Sequence, residues 1–144
     1  MTYLLDVNVL IALFDPDHVH HDTAHRWLAN VGHTAWATCP IVENGFVRVV
    51  TNRTYPNGGL SILDAIAKLK VFCSEPGHAF WEDRVSLRNY DDQFLSGIGG
   101  HQQITDAYLV ALASHNQGKL ATFDKRIAIS ISSEFSGAIE LIGD

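Results

Sequence analysis

Four acids in this sequence stand where the chain changes direction: Asp6 after Thr2-Tyr3-Leu4-Leu5, Glu43 after Pro40, Asp106 after Thr105, and Asp124 after Thr122-Phe123. Each closes a short apolar strand or opens an apolar helix. Converging carboxylates repel one another unless some are protonated or a cation neutralises them, and hard divalent cations with oxygen ligands suit such a set best. Magnesium or manganese held in this way binds phosphate oxygens, orients a water or hydroxide for in-line attack and stabilises charge on the leaving oxygen. The chain has no Ser-His-Asp elbow and no Gly-rich phosphate loop, so the acids point to hydrolysis of a phosphodiester or phosphomonoester. A nuclease is the first expectation.

Each acid taken alone has a simpler account. Asp6 precedes a helix and can cap it, a contact that contributes about 1 kcal/mol, although Asn8 would cap equally well. Asp106 can act as a first-turn acid, with Thr105 as an alternative cap, and Asp124 can cap a short helix from Lys125. Glu43 resists this treatment. Phe46, Val47 and Val50 follow it at three, four and seven residues, which centres its carboxylate on the apolar stripe of its own helix. Such a group needs a partner unless its tip snorkels out at the helix end. If all four acids are caps, the protein is a binding module, indifferent to metal and tolerant of Asp→Asn. A phosphohydrolase of the haloacid-dehalogenase type is the rival enzyme, but its strand-end Asp-x-Asp uses the second Asp as acid/base, and here that position is Asn8.

The elements that must position these acids follow from periodicity. The opening stretch through Phe14 reads as strand then helix, the first step of an α/β domain, with Asp6 at the strand's carboxyl end, where open α/β sheets place their ligand crevice. Asp15-Pro16-Asp17-His18 is a turn, and a second helix is expected from Val19 to Val31, stopping at Gly32. Its stripe holds Ala24, Trp27, Leu28, Val31 and His20. A strand spans Thr34 to Thr38, and Pro40 starts a third helix running to Val50. Thr54 to Gly59 is a loop. Ser61 caps a helix to Phe72, with Ile62, Ile66 and Leu69 on one face, either core or a subunit contact. Between Cys73 and Gly100, His78 to Trp81 is expected as an edge strand, Asp83 to Asn89 as a short helix and Ser96 to Gly100 as a loop. A helix from Ile104 to Asn116 ends at Gly118, a strand from Lys119 leads to Asp124, and Ala138 to Ile142 is the last strand.

Composition sets the bounds. The 144 residues, 47% of them hydrophobic, suffice for one domain spanning 1–144 with a sizeable core. No apolar run of about 18 residues and no signal-peptide pattern is present, which gives no membrane span and a cytoplasmic location as expectations. A net charge of −6 argues against a general nucleic-acid coat, but bound divalent cations would reverse the sign locally. Cys39 and Cys73 form neither a C-x-x-C pair nor a disulfide framework and read as reduced, buried small hydrophobes. His21 and His25 have the spacing of a helical zinc pair without a third ligand, and His21-Asp22 lacks the companions of a phosphohydrolase motif; flank and packing roles are expected. Trp27, Trp36 and Trp81 are expected in the core rather than stacked on bases.

Asp6-Val-Asn8-Val-Leu, Pro40-x-x-Glu43, Thr105-Asp106-Ala-x-Leu-x-Ala-Leu-Ala113 and Thr122-Phe-Asp124 together resemble the PIN-domain ribonucleases, and among them the VapC-type toxins of bacterial type II toxin–antitoxin systems. The resemblance covers nearly the whole chain. It implies an α/β fold of three layers, a central mainly parallel sheet flanked by helices. It also implies a magnesium- or manganese-dependent endoribonuclease acting on structured RNA such as transfer or ribosomal RNA, a homodimer, and silencing by a VapB-type antitoxin whose C-terminal segment covers the acidic groove. By the same resemblance Asp6, Glu43, Asp106 and Asp124 match the family's acidic metal-binding quartet, with Asn8 and Thr122 as supporting polar residues; the expectation drawn for this chain is that Asp6 and Asp106 hold the principal metal and Glu43 and Asp124 complete the site directly or through water. One departure is that Lys125 and Arg126 follow Asp124 where many relatives carry another polar or acidic residue. These two, with Arg48 and Arg53, are the candidate RNA-phosphate contacts.

Overall fold

Short apolar strands that alternate with helices must form a parallel sheet, because each chain crossing returns through a helix before the next strand begins. The computed structural model, which describes residues 1–56, 59–130 and 133–143, has this architecture. Strands β1 (Tyr3–Leu5), β2 (Trp36–Thr38), β3 (His78–Phe80), β4 (Lys119–Thr122) and β5 (Ile139–Leu141) make one five-stranded sheet in the order β3-β2-β1-β4-β5. Every pairing in it is parallel: Leu4 faces Ala37 on one side and Leu120 on the other, Ala37 faces Ala79, and Leu120 faces Ile139. The strand order reverses at β1, so the crevice between the carboxyl ends of β1 and β4 is the topological switch point where such sheets take their ligands.

Helices α1 (Val7–Phe14), α2 (His21–Trp27), α3 (Pro40–Val50), α4 (Ile62–Phe72), α5 (Asp92–Ser96), α6 (Ile104–His115) and α7 (Lys125–Ser130) complete the described regular structure, with short 3₁₀ and π turns between them. Right-handed crossovers lay α1 to α4 over one face of the sheet and α6 and α7 over the other. The core is the seam between these layers. Leu4, Leu5, Val9, Leu10, Phe46, Leu109, Leu112 and Leu120 are wholly buried there. Trp27 and Trp36 join them as expected, and Trp36 stacks on Phe72 at 4.2 Å.

Several boundaries differ from expectation for identifiable reasons. Val19 stays outside α2 and is 86% exposed, because the preceding turn continues: Asp15 accepts from the Asp17 and His18 amides, and the His21 amide bonds the His18 carbonyl. After Trp27 the helix widens into a π turn, Leu28–Gly32, which carries Val31 off the expected stripe into solvent. His20 also leaves that stripe: it is exposed and stacks on Phe123 at 4.4 Å. On α4 the buried positions are Ala65 and Leu69, while Ile62 and Leu63 are exposed.

The expected helix at Asp83 to Asn89 is reduced to one 3₁₀ turn, Leu87–Asn89, because Glu82 and Ser86 engage the chain locally: the Glu82 carboxylate takes Arg84, and the Ser86 hydroxyl accepts from the Arg88 amide. The helix in this region is instead α5, capped by Asp91 through the Phe94 amide at 2.9 Å and anchored by Phe94 in a second small core with Ala107 and Ala111. At the end of α6 the residue in left-handed conformation is Gln117, with φ 58°, not Gly118. Gly118 is required for another reason: a Cβ there would stand 2.4 Å from the Thr2 carbonyl oxygen. Of the expected loop at Thr54 to Gly59, Asn57 and Gly58 lie outside the described residues, as does Asp144 at the end of the expected domain.

Candidate metal centre

Asp6 is fixed by the strand-to-helix step itself. Its Oδ1 accepts the Val7 amide at 2.8 Å, capping α1, and its Oδ2 accepts the Thr122 hydroxyl at 2.8 Å. Capping and site membership are therefore the same contact set rather than alternatives. Thr122 is fully buried and also accepts the Asp124 amide at 3.1 Å, so one hydroxyl ties the ends of β1 and β4 together. Asp124 caps α7 through the Arg126 amide at 2.9 Å, and the Arg126 guanidinium grips it with two bonds, Nε to Oδ1 at 3.1 Å and Nη2 to Oδ2 at 2.9 Å.

Asp106 sits in the first turn of α6, which runs antiparallel to β4 and so starts at the same end of the sheet. It caps nothing. Burial first, then the charges of Asp6 and Asp124, push its carboxyl up to about 6. Asp6 is likewise raised, by burial against the opposing pull of its Thr122 and Val7 hydrogen bonds, with Asp124 adding to the rise. Asp124 is lowered, chiefly by its hydrogen bond to Arg126. Three carboxylates thus share one electrostatic neighbourhood at the switch point, with Arg126 beside one of them. An all-oxygen donor set whose members disfavour each other's ionisation is the chemistry that a hard divalent cation relieves. The residues fit such an ion.

Glu43 is at the same end of the sheet by backbone, in the first turn of α3, but its carboxylate turns toward β3. Its Oε2 accepts the Thr38 hydroxyl at 2.6 Å, the same hydroxyl lies 2.7 Å from His78 Nε2, and Glu43 acts electrostatically on both His78 and Cys73. The partner its apolar stripe demanded is therefore Thr38. Spacing along the chain carried no sign of this group, because Thr38, Glu43, Cys73 and His78 come from β2, α3, the end of α4 and β3. Asn8 is exposed on the first turn of α1.

Among the candidate cations, Lys125 and Arg126 are exposed at the start of α7, directly after Asp124. Arg48 and Arg53 are exposed too, but α3 runs away from the strand ends, and its 11 residues span about 16 Å. His21 and His25 hydrogen-bond the carbonyls of Ala12 and Leu13 at 2.7 and 2.8 Å, closing the end of α1 as packing residues. Cys39 and Cys73 are free thiols.

Comparison with known proteins places the chain in a family. The family model described as PIN domain matches residues 3–129. The chain belongs to the PIN-domain family. Within it, ribonuclease VapC39 of Mycobacterium tuberculosis is 42% identical over 142 residues, covering 99% of this chain and 100% of the relative. Ribonuclease VapC44 of the same species is 42% identical over 130 residues, 90% of this chain and 91% of that one. The VapBC2 structure from Rickettsia felis, bound to a promoter DNA fragment, superimposes with a TM-score of 0.65 at 15% identity over 99% of this chain and 100% of its counterpart. This PIN domain is thus of the VapC type, and its fold is the three-layer one that its motifs implied.

Proposed function

We propose that this PIN-domain protein is a VapC-type toxin: a magnesium- or manganese-dependent endoribonuclease that cleaves structured RNA and is neutralised by a VapB-like antitoxin. The observation that supports the reading is the mutual electrostatic influence of Asp6, Asp106 and Asp124 at the switch point of the sheet. The binding-module account explains Asp6 and Asp124, which do cap helices, but it leaves Asp106 half-buried and raised toward neutrality with no helix amide to serve. The haloacid-dehalogenase account needs an acid at position 8, and Asn8 is exposed on α1.

When bound, the divalent ion supplies a polarised water or hydroxide and a counter-charge for the phosphorus oxygens and the leaving oxygen. Asp6 and Asp106 are the residues that hold it. Asp124 completes the set directly or through water, kept ionised by Arg126. Thr122 fixes the angle of Asp6 and the start of the Asp124 turn through its hydroxyl. Glu43 would join the site by swinging from Thr38 toward β1, and Asn8, exposed in the first turn of α1, is the supporting polar residue of this reading. Lys125 and Arg126 take RNA phosphate beside the site; Arg48 and Arg53, farther along α3, are left for flanking phosphates.

The same reading makes residues 1–144 one nuclease domain that pairs as a homodimer and works in the cytoplasm, with the antitoxin's C-terminal segment laid across the acidic face. No described helix is long and apolar enough to cross a membrane. Cleavage of transfer and ribosomal RNA by the purified protein, with magnesium, with manganese and with chelator, tests the proposal. Discrete fragments that disappear with chelator are expected; intact RNA under every metal would remove it.

A further inference from the structure

Away from the three aspartates the structure gathers a second set of donors, of different chemistry. Glu43, Cys73 and His78 each offer one ligand atom, a carboxylate oxygen, Sγ and an imidazole nitrogen, and these atoms lie within 4.8 Å of one another. All three residues are half-buried. They come from three elements that the fold holds rigidly: α3, the carboxyl end of α4 and the first residue of β3. The ring of His78 packs against Trp36 with centroids 4.7 Å apart, which limits its freedom to turn away.

The buried hydroxyl of Thr38 stands among them, donating to Glu43 Oε2 at 2.6 Å and lying 2.7 Å from His78 Nε2. The hydroxyl gives its one hydrogen to Glu43, and its contact with His78 Nε2 has a direction set by the imidazole tautomer. Zinc takes a neutral imidazole, so Nε2 binds it when the ring's proton is on Nδ1.

We propose that Glu43, Cys73 and His78 form a zinc site, distinct in donor chemistry from the aspartate centre, with water as the fourth ligand. Thiolate and imidazole select zinc over magnesium or manganese, which prefer oxygen. Metal–ligand distances of about 2.0–2.3 Å place tetrahedral ligands roughly 3.3–3.7 Å apart, so the three atoms close by about an ångström through side-chain rotation. The thiol proton leaves to solvent as the bond to sulfur forms.

Occupancy has a consequence that rests on the nuclease reading. Glu43 is shared: bound to zinc, its carboxylate is held over Thr38 and cannot swing toward Asp6. Zinc at this site is therefore an inhibitor of magnesium- or manganese-dependent cleavage, acting without touching the aspartates.

The test uses the full-length protein loaded with cobalt or zinc. Wild type is expected to bind one zinc per chain in competition with a chromophoric chelator, and cobalt is expected to give a thiolate-to-cobalt charge-transfer band. Cys73→Ala and His78→Gln should abolish the band and weaken zinc at least by the roughly tenfold to hundredfold that even outer-shell changes cost. Asp106→Asn should keep both. In cleavage assays, zinc should suppress wild type by about tenfold relative to its zinc-free rate and leave Cys73→Ala nearly unaffected relative to its own. Absence of the charge-transfer band, or zinc binding lost with Asp106→Asn and kept with Cys73→Ala, overturns the site. A protein that shows the band and the stoichiometry but cleaves no RNA under any metal keeps the zinc site and loses the nuclease reading.

Discussion

Asp106 has the environment in the proposed centre that makes a prediction by sign alone. Its folded-state carboxyl is raised from 3.8 to about 6 by burial and by Asp6 and Asp124, so between those values the folded chain binds more protons than the unfolded one. Metal-free stability must then fall as pH rises from about 4 through about 6. Asp6, raised in the same direction, adds to the slope. Denaturation midpoints measured in chelator should show this decline, and Asp106→Asn should flatten it while raising stability above pH 6. At the same scale, Lys125→Gln and Arg126→Gln should each lower the salt dependence of RNA binding by about one charge if both reach phosphate; binding curves across salt concentrations read this directly. The acids were legible in the sequence because an acid at a strand end is conspicuous by type and place. The group around Thr38 was not, because its members are brought together only by strand pairing and by the packing of α4 onto β3.

At the scale of elements, the sequence was clearest where periodicity was strong. Strands at Tyr3, Trp36 and Lys119 and helices at Pro40 and Ile104 appear within a residue or two of where their patterns placed them. The stretch from Glu82 to Gly100 was illegible as a pattern because short local bonds, rather than an apolar face, decide its path. The helix that forms there, α5, is set by the Asp91 cap on the Phe94 amide and by the Phe94 anchor, neither of which the apolar periodicity marks. Phe94 is 2% exposed, so Phe94→Ala should cost about 3–5 kcal/mol, visible in a denaturant titration as a lower midpoint with unchanged slope. Gly118→Ala should also destabilise, by about 1–3 kcal/mol, because a methyl there must displace the Thr2 backbone beside β1. If Gly118 served only to end α6, the same change would be nearly neutral, since the left-handed position is Gln117.

For the molecule as a whole, topology does the work of assembly. A sheet whose order reverses at β1 opens a crevice between β1 and β4, and α6 brings Asp106 to that end from the opposite face, so acids a hundred residues apart in sequence influence each other's ionisation. A chain of net charge −6 would repel RNA at that face, and a divalent ion held there, as proposed, would reverse the local sign. On the proposed reading Asp6, Asp106 and Asp124 hold a divalent ion in addition to the capping that Asp6 and Asp124 provide. Calorimetric titration of manganese into wild type, Asp106→Asn and Asp6→Asn at neutral pH tests this most directly, with folding checked by circular dichroism. The account predicts saturable binding in wild type and loss of at least about tenfold in affinity in each variant. Wild-type affinity retained in both well-folded variants would contradict it.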